Sequence, residues 1–376
     1  MKNVLILYKF LPQWRVDFFN LLRETLFKEN IELTLVYGKL MGEVSKKNDE
    51  VDLGWGIYMP NKFIKFGKLE LIGQPAFRQI RNADLIIVEQ ANKLLINYFL
   101  MIIRKFTKKK LAFWGHGLNL QSNSNSTGNK FKRLYSRQCD WWFAYTKSVS
   151  RTIQSIGFSG KKITIVQNAI DTKFLQKVYG EISDEKISEL KNILNITNCS
   201  IGLYCGGMYK EKRLDFLLDT CYKIKNEIVN FEMIFIGAGP EDYKIKEAAF
   251  KYKWIHYVGP KFNTDKVPYF KIADVFLMPG LVGLAILDAF AMQLPIITTN
   301  YPYHSPEIEY LEDGLNGIIT EDSSEKYSRA VISLLKDKGK LEELKKCCKS
   351  SAERYTVEKM VKNFKDGILQ ALFGGA

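Results

Sequence analysis

Residues Ile201–Asp219 read IGLYCGGMYKEKRLDFLLD. A short apolar run suited to a buried strand leads into two glycines, then a group of cations, then a stretch with helical spacing. Leu214, Leu217, Leu218 and Cys221 recur at intervals of three and four, which places them on one helix face. Strand, glycine turn and helix in that order open a βαβ unit. The strand shows no polar alternation, so it is expected in a parallel sheet covered on both faces.

The same rhythm continues on either side. Toward the C-terminus come FEMIFIG (231–237), a helix over 241–252, WIHYVG (254–259), ADVFLMP (273–279), a helix over 284–292 and LPIITT (294–299). Helical patterns at 323–336, 340–352 and 356–372 end the chain. Toward the N-terminus, residues 168–198 lose the alternation and read as a connector containing a polar helix, Asp184–Asn195. Before it, strands are expected at Val4–Tyr8, Ile31–Tyr37, Asp84–Val88, Leu111–Trp114, Trp141–Tyr145 and Lys162–Val166. Helices are expected at Val16–Phe27, 94–106, 129–138 and 147–156. The reading is two α/β domains, 1–170 and 171–355.

Bulk properties agree with two domains. The chain has 376 residues, 46% hydrophobic and 26% charged, a globular composition. Its net charge of +14 favours phosphorylated substrates, anionic lipid or nucleic acid, and equally suits a lysine-rich solvated surface. No zinc-finger or RNA-recognition pattern accompanies the charge, so nucleic acid is not an expected partner. The 6 Cys form no CxxC pair and the 3 His are far apart, which argues against a zinc site. The thiols are expected to be reduced, in a cytoplasmic protein. MKNVLILYKF reads as a first buried strand, not a leader, and no apolar run is long enough to span a bilayer.

Ligands of open parallel sheets bind beyond the carboxyl ends of the strands, so the loops there are the candidate sites. Gly206 and Gly207 let backbone approach a ligand closely. Lys212 and Arg213 stand at a helix start, where the dipole prefers acids, and make sense if a phosphate neutralises them. Gly237, Gly239 and Pro240 form a tight strand-to-helix turn, read equally as ligand contact or as a plain turn. Gly280, Val282, Gly283 and Leu284 lead into a helix carrying Asp288, a carboxylate placed to accept from a ribose diol. His116, between Gly115 and Gly117, is a candidate to orient a sugar or take a proton. Residues 94–113, LLINYFLMIIRKFTKKKLAF, read either as an interfacial contact with anionic lipid or as a buried helix with a solvated basic end.

Together these segments resemble the family 4 retaining glycosyltransferases of the GT-B fold. GGMYKEKRLDFLLD resembles the family's G-R-L-x-x-E-K-G-x-D-x-L-L, GAGP its G-x-G-P, and ADVFLMPGLVGLAILDAFAMQLPIITT its A-D-V-x-x-x-P, paired Glu and G-x-P-V-I-x-T segments. NAIDTKF (168–174) resembles N-G-V-D-x-x-x-F. PEIEYLEDGLNGII (306–319) resembles P-E-x-x-x-x-G-x-N-G-x-L. The resemblance implies two Rossmann-like domains facing each other across a cleft. The first, 1–170 with a returning helix 356–372, would bind acceptor; the second, 171–355, would bind a nucleotide sugar. It implies a donor role for Lys212, Asp288 and Glu307, and places His116 near the donor sugar. The chain departs from the pattern at four points. Gly207 stands at the usual Arg, Gly280 at the first Glu, Asp288 at the second Glu, and Arg213 at a usual Gly.

The activity implied is transfer of a sugar from a nucleotide-diphosphate sugar, UDP favoured, to a glycan or lipid-linked saccharide, with retention of configuration. The implied setting is bacterial surface-polysaccharide synthesis by a cytoplasmic or peripheral membrane enzyme. His116 and Lys212 are the expected catalytic residues. No Asp-x-Asp sequence occurs, so neither metal nor cofactor is expected. A catalytically degenerate scaffold and a nucleotide-sugar epimerase of the same fold are the alternatives.

Overall fold

The computed structural model describes residues 1–39, 50–67, 69–117 and 133–374. The chain forms two compact units, Met1–Ile170 with Val357–Ala376, and Asp171–Thr356.

Unit 1 holds a parallel sheet of β1 (Lys2–Tyr8), β2 (Ile31–Tyr37), β3 (Ile57–Tyr58), β6 (Leu85–Glu89), β7 (Lys110–Gly115), β8 (Trp141–Ala144) and β9 (Ile163–Ile165), ordered β3-β2-β1-β6-β7-β8-β9. A separate antiparallel hairpin pairs β4 (Lys62–Phe66) with β5 (Leu69–Gly73). The central strands are buried on both faces, as at Val4–Tyr8 and Leu111–Gly115. Their unbroken apolar runs are what such a position requires. The helix Val16–Phe27 covers the sheet with Phe18, Phe19, Leu22 and Leu26.

Unit 2 repeats the plan. Its strands β10 (Ser200–Cys205), β11 (Phe231–Ile236), β12 (Ile255–Tyr257), β13 (Val275–Leu277), β14 (Ile296–Thr299) and β15 (Gly317–Thr320) are parallel, in the order β12-β11-β10-β13-β14-β15. Each sheet therefore reverses its winding once, between β1 and β6 in unit 1 and between β10 and β13 in unit 2. A crevice at the carboxyl ends of those strands is where open α/β sheets receive ligands.

The last helix, Val357–Phe373, packs on unit 1. Phe364 stacks on Phe143 at 4.4 Å and meets Trp114 and Phe18 edge-on at 4.9 and 5.1 Å. A Cβ at Gly367 would lie 2.7 Å from the Phe143 ring, so the helix approaches as closely as it does because residue 367 has no side chain.

The connector is more ordered than its sequence rhythm suggests. It contains the helices Thr172–Glu181 and Asp184–Ile193. Asp171 and Ser183 cap them, accepting from Phe174 N–H at 2.9 Å and Lys186 N–H at 3.4 Å. The sequence reading also passed over β3, the β4–β5 hairpin and the helix Phe77–Asn82. The helix expected at 129–138 begins outside the described residues. No helix among the described residues is long and apolar enough to cross a membrane.

Candidate functional site

The glycine loops of unit 2 meet at the reversal of its sheet. The loop after β10 bonds the turn after β11: Met208 N–H donates to Ala238 O at 2.9 Å, and Glu241 N–H donates to Met208 O at 2.9 Å. A Cβ at Gly239 would press on the Met208 backbone, and one at Gly237 on the Gly206 carbonyl. Gly237 also has a φ of +138°, which L side chains rarely adopt. These two glycines are thus required by the protein's own backbone. Pro240 leads from that turn into the helix Asp242–Lys251.

The loop after β13 is bound to the same β10 loop. Leu281 N–H donates to Glu211 O at 2.9 Å, and the Lys212 ammonium donates to Leu281 O at 2.6 Å. Lys212 is only 5% exposed, and its Nζ also lies 3.6 Å from Met278 Sδ. A Cβ at Gly280 would sit 2.6 Å from the Lys212 carbonyl carbon. The position where the resembling family carries its first Glu is therefore closed by backbone, so no side chain fits there. Gly207 differs. A Cβ there would meet only the Tyr209 ring, at 2.9 Å, a side chain and not backbone.

Arg213 adopts the left-handed conformation, φ +57°, ψ +51°, between the short 3-10 turn Lys210–Lys212 and the helix Leu214–Glu227. That conformation explains why glycine is usual at this point. Arginine carries a cost of order 1–2 kcal/mol there. Its guanidinium is held 2.6 Å from Asp322 and over the rings of Phe216 and Tyr301, at 4.5 and 5.2 Å.

Asp288 lies on the helix Ala285–Ala291, 2.7 Å from Lys266 Nζ, with each side chain 15% exposed. Burial pulls the Lys266 ammonium down, but the Asp288 charge, with Cys205 beside it, holds it above its ordinary value. Burial pushes the Cys205 thiol up to about 12, so it is no nucleophile at neutral pH.

His304 fixes the β13 loop from behind. Its Nδ1 accepts from Val282 N–H at 3.0 Å, and its Nε2 pairs with Thr299 O at 2.9 Å. That pattern selects the neutral tautomer carrying its proton on Nε2. Burial lowers its pKa, and Lys212 and Arg213 lower it further against the raising effect of the Thr299 bond. Ser305 N–H donates to Val282 O at 2.9 Å, so the segment leading to buried Glu307 is tied to the same loop. Gly283 and Leu284 complete the run into the Asp288 helix.

The structure thus brings together Gly206, Gly207, Lys212, Arg213, Gly237, Gly239, Gly280, Val282 and Asp288 around one sheet edge. His116 belongs to unit 1, after β7, exposed, with its ring edge-on to Tyr145 at 4.5 Å. Gly117 beside it has φ +72°. Sequence reading missed Lys266 and His304. Both follow strands, in KFNTDK and YPYHSPE, and that placement is the signal that marks them. At the reversal of the unit 1 sheet, Glu89 accepts from Lys9 N–H at 2.9 Å and pairs with its ammonium at 3.3 Å. A recess of 610 Å³ lined by Asn3, Thr34, Arg78 and Asn82 also lies in unit 1, apart from all these loops.

Residues 200–337 match the family model for glycosyl transferases group 1. That part of the chain is similar to this family, and the fold of the chain is GT-B. Two sequence relatives of the chain are the UDP-N-acetylglucosamine–peptide N-acetylglucosaminyltransferase GtfA subunit of Streptococcus agalactiae and the putative colanic acid biosynthesis glycosyltransferase WcaL of Salmonella typhimurium. The first is 22% identical over 293 residues, 75% of this chain and 55% of the relative. The second is 21% identical over 229 residues, 57% of this chain and 52% of the relative. The matched part spans about half the length of these curated relatives. Among solved structures, Anabaena Alr3699/HepE in complex with UDP superposes with a TM-score of 0.71 at 14% identity, covering 98% of this chain and 99% of that one. That likeness concerns the fold.

Proposed function

We propose that the chain transfers a sugar from a nucleotide-diphosphate sugar, UDP favoured, to a glycan or lipid-linked saccharide, with retention at the anomeric carbon and without a metal ion. The observation that carries the reading is the buried Lys212 ammonium, held between the glycine loops that follow β10 and β13 where the sheet reverses. A diphosphate at this edge would meet Lys212, Arg213 and loop amides, and its ribose would meet Asp288. HepE, the fold neighbour, was solved with UDP and with UDP-glucose, which supports the choice of base. The WcaL relative is named as a putative colanic acid biosynthesis glycosyltransferase, which supports a role in polysaccharide synthesis.

In the proposed reaction the acceptor hydroxyl oxygen attacks the anomeric carbon from the face the nucleotide leaves. The new O–C1 bond forms as the bond from C1 to the phosphate oxygen breaks. The hydroxyl proton passes to the departing diphosphate, so no enzyme-bound glycosyl ester is formed. Lys212 and Arg213 offset the charge that develops on the leaving group. His116 would orient the sugar.

Thermal unfolding with UDP, GDP, dTDP, ADP and CMP tests the donor site. A ligand at about 100 times its Kd stabilises the native state by roughly 2.7 kcal/mol. One nucleotide is expected to raise the Tm of wild type and to lose most of that effect in Lys212→Ala, each compared with its own unliganded Tm. If no nucleotide shifts wild type, the donor reading fails and a degenerate scaffold takes its place, a reading favoured by the closed position at Gly280. Product anomers read by NMR test retention, since an inverted linkage contradicts the proposed step. Undiminished turnover in EDTA tests metal independence.

A further inference from the structure

The recess of 610 Å³ in unit 1 opens on one face of the sheet, toward the amino ends of its strands. Asn3 and Leu5 of β1 pair in register with Glu32 and Thr34 of β2, so these four side chains share that face. The helix Phe77–Asn82 supplies a second wall through Arg78, Gln79 and Asn82, and Leu5 and Ile57 add apolar lining. Both walls are held in place. Asn3 N–H donates to Asp84 Oδ2 at 2.8 Å, and Asp84 N–H donates to Asn3 O at 2.8 Å. Ile80 anchors the helix in the core, and the Lys109 ammonium ties its end by donating to Arg81 O at 2.7 Å and Ala83 O at 2.9 Å.

The polar lining is Asn3, Glu32, Thr34, Arg78, Gln79 and Asn82, all exposed or half-buried and so open to a solute. Among the described residues none of these six side chains makes a hydrogen bond or an ion pair, and Glu32 and Arg78 share the recess without pairing. Their chemistry is mixed. The carboxylate only accepts, the guanidinium only donates, and the three carboxamides and the hydroxyl do both. The one acid and the one base leave the lining without net charge, on a chain whose net charge is +14. The volume falls within the range of roughly 300–1,000 Å³ usual for small-molecule sites.

From this chemistry we infer that the recess is a lectin-like site for a neutral saccharide, separate from the loops where sugar transfer is proposed. Each saccharide hydroxyl both donates and accepts, which matches amide, carboxylate and guanidinium groups together, and the C–H edges of the ring suit Leu5 and Ile57. A phosphate or another anion would meet the Glu32 carboxylate, and a cation would meet Arg78. An apolar ligand would strip water from six polar groups and return no hydrogen bond. A zwitterion such as an amino acid would use the two charged groups and leave Asn3, Thr34, Gln79 and Asn82 without a role. Reacting ligands of open parallel sheets meet the carboxyl ends of the strands, so a saccharide held here is bound and not transformed. The inference stands apart from the donor-site reading, because every lining residue belongs to unit 1.

The test is saturation-transfer NMR on the full chain with glucose, galactose, mannose, N-acetylglucosamine, lactose and cellobiose, and with glycine and inorganic phosphate as charged controls. One variant carries Glu32→Ala and Asn82→Ala; another carries Arg78→Ala and Gln79→Ala. None of these four side chains is buried, and unchanged melting temperatures confirm that both variants fold. At least one saccharide is expected to bind wild type, to stay bound in the presence of UDP, and to bind each variant about tenfold more weakly, the loss that follows from removing a hydrogen bond to a charged group. Absence of saccharide binding, displacement by UDP, undiminished binding by both variants, or binding of glycine or phosphate in place of saccharide each overturns the assignment. The nucleotide melting assay, run on the same samples, separates failure here from failure of the donor reading.

Discussion

At Gly280 and Gly207 the same departure from the resembling family has different physical meanings. The backbone of Glu211 and Lys212 fills the space beside Gly280, whereas only the Tyr209 side chain crowds Gly207. Gly280→Ala is therefore expected to cost about 2–3 kcal/mol by overpacking, and Gly207→Arg less than about 1 kcal/mol. Urea unfolding of the two variants measures the difference, and equal losses would contradict the loop packing described above. The second expectation at this scale concerns acid. His304 is bonded in its neutral form, and burial lowers its pKa from 6.5. A depressed pKa means the folded state binds the proton less readily than the unfolded chain. Its stabilisation is therefore complete above pH 6.5 and is lost as pH falls through the lower folded value. Stability of unit 2 measured against pH should fall on the acid side of 6.5 in wild type, with that part of the slope missing from His304→Gln. A slope identical in the two proteins would remove His304 from the account.

The elements of unit 2 were legible because their signals are redundant. IGLYC, FEMIFI and LPIITT are uninterrupted apolar runs, each followed by a turn and a helical period, and all became strands of one parallel sheet. The stretch from Ile57 to Asn82 was not legible. Its strands are short and bear Lys62, Lys65 and Glu70, and its helix shows a single buried residue, Ile80, so no periodicity accumulates. The connector helices were readable from Asp171 and Ser183 as caps, a signal that periodicity alone overlooks. At the candidate site, the glycines and Lys212 could be found from sequence, but the reason for Gly237, Gly239 and Gly280 could not. It depends on which loop backbones meet, and that is settled by sheet order. The returning helix gives this scale its prediction. Phe364 is fully buried against Phe143, Trp114 and Phe18. Phe364→Ala should cost about 3–5 kcal/mol, read as an earlier denaturant midpoint. A loss below about 1 kcal/mol would mean the helix contributes little to unit 1.

For the whole molecule, order along the chain and membership of a unit are different things. The helix Val357–Phe373 comes after every strand of unit 2, yet it belongs to unit 1. It buries Val357, Met360, Val361, Phe364, Ile368 and Ala371. At about 1.5–3 kcal/mol for each large side chain, their burial contributes on the order of 10 kcal/mol, comparable with the entire net stability of a typical domain. Unit 1 is therefore not expected to survive without it. Unit 2 has its own sheet and its own core, with Leu203, Phe235, Phe276 and Ile297 all fully buried. A chain ending at Thr356 should accordingly lose hydrogen-exchange protection in β7, β8 and β9, while β10 to β15 keep theirs. If a nucleotide is found to stabilise the full chain, the truncated chain should still bind it, because the residues proposed to hold it, other than His116, lie in Asp171–Thr356. Parallel loss of protection in both sheets would show that the units fold as one, and the donor loops would then depend on the last helix despite sharing no strand with it.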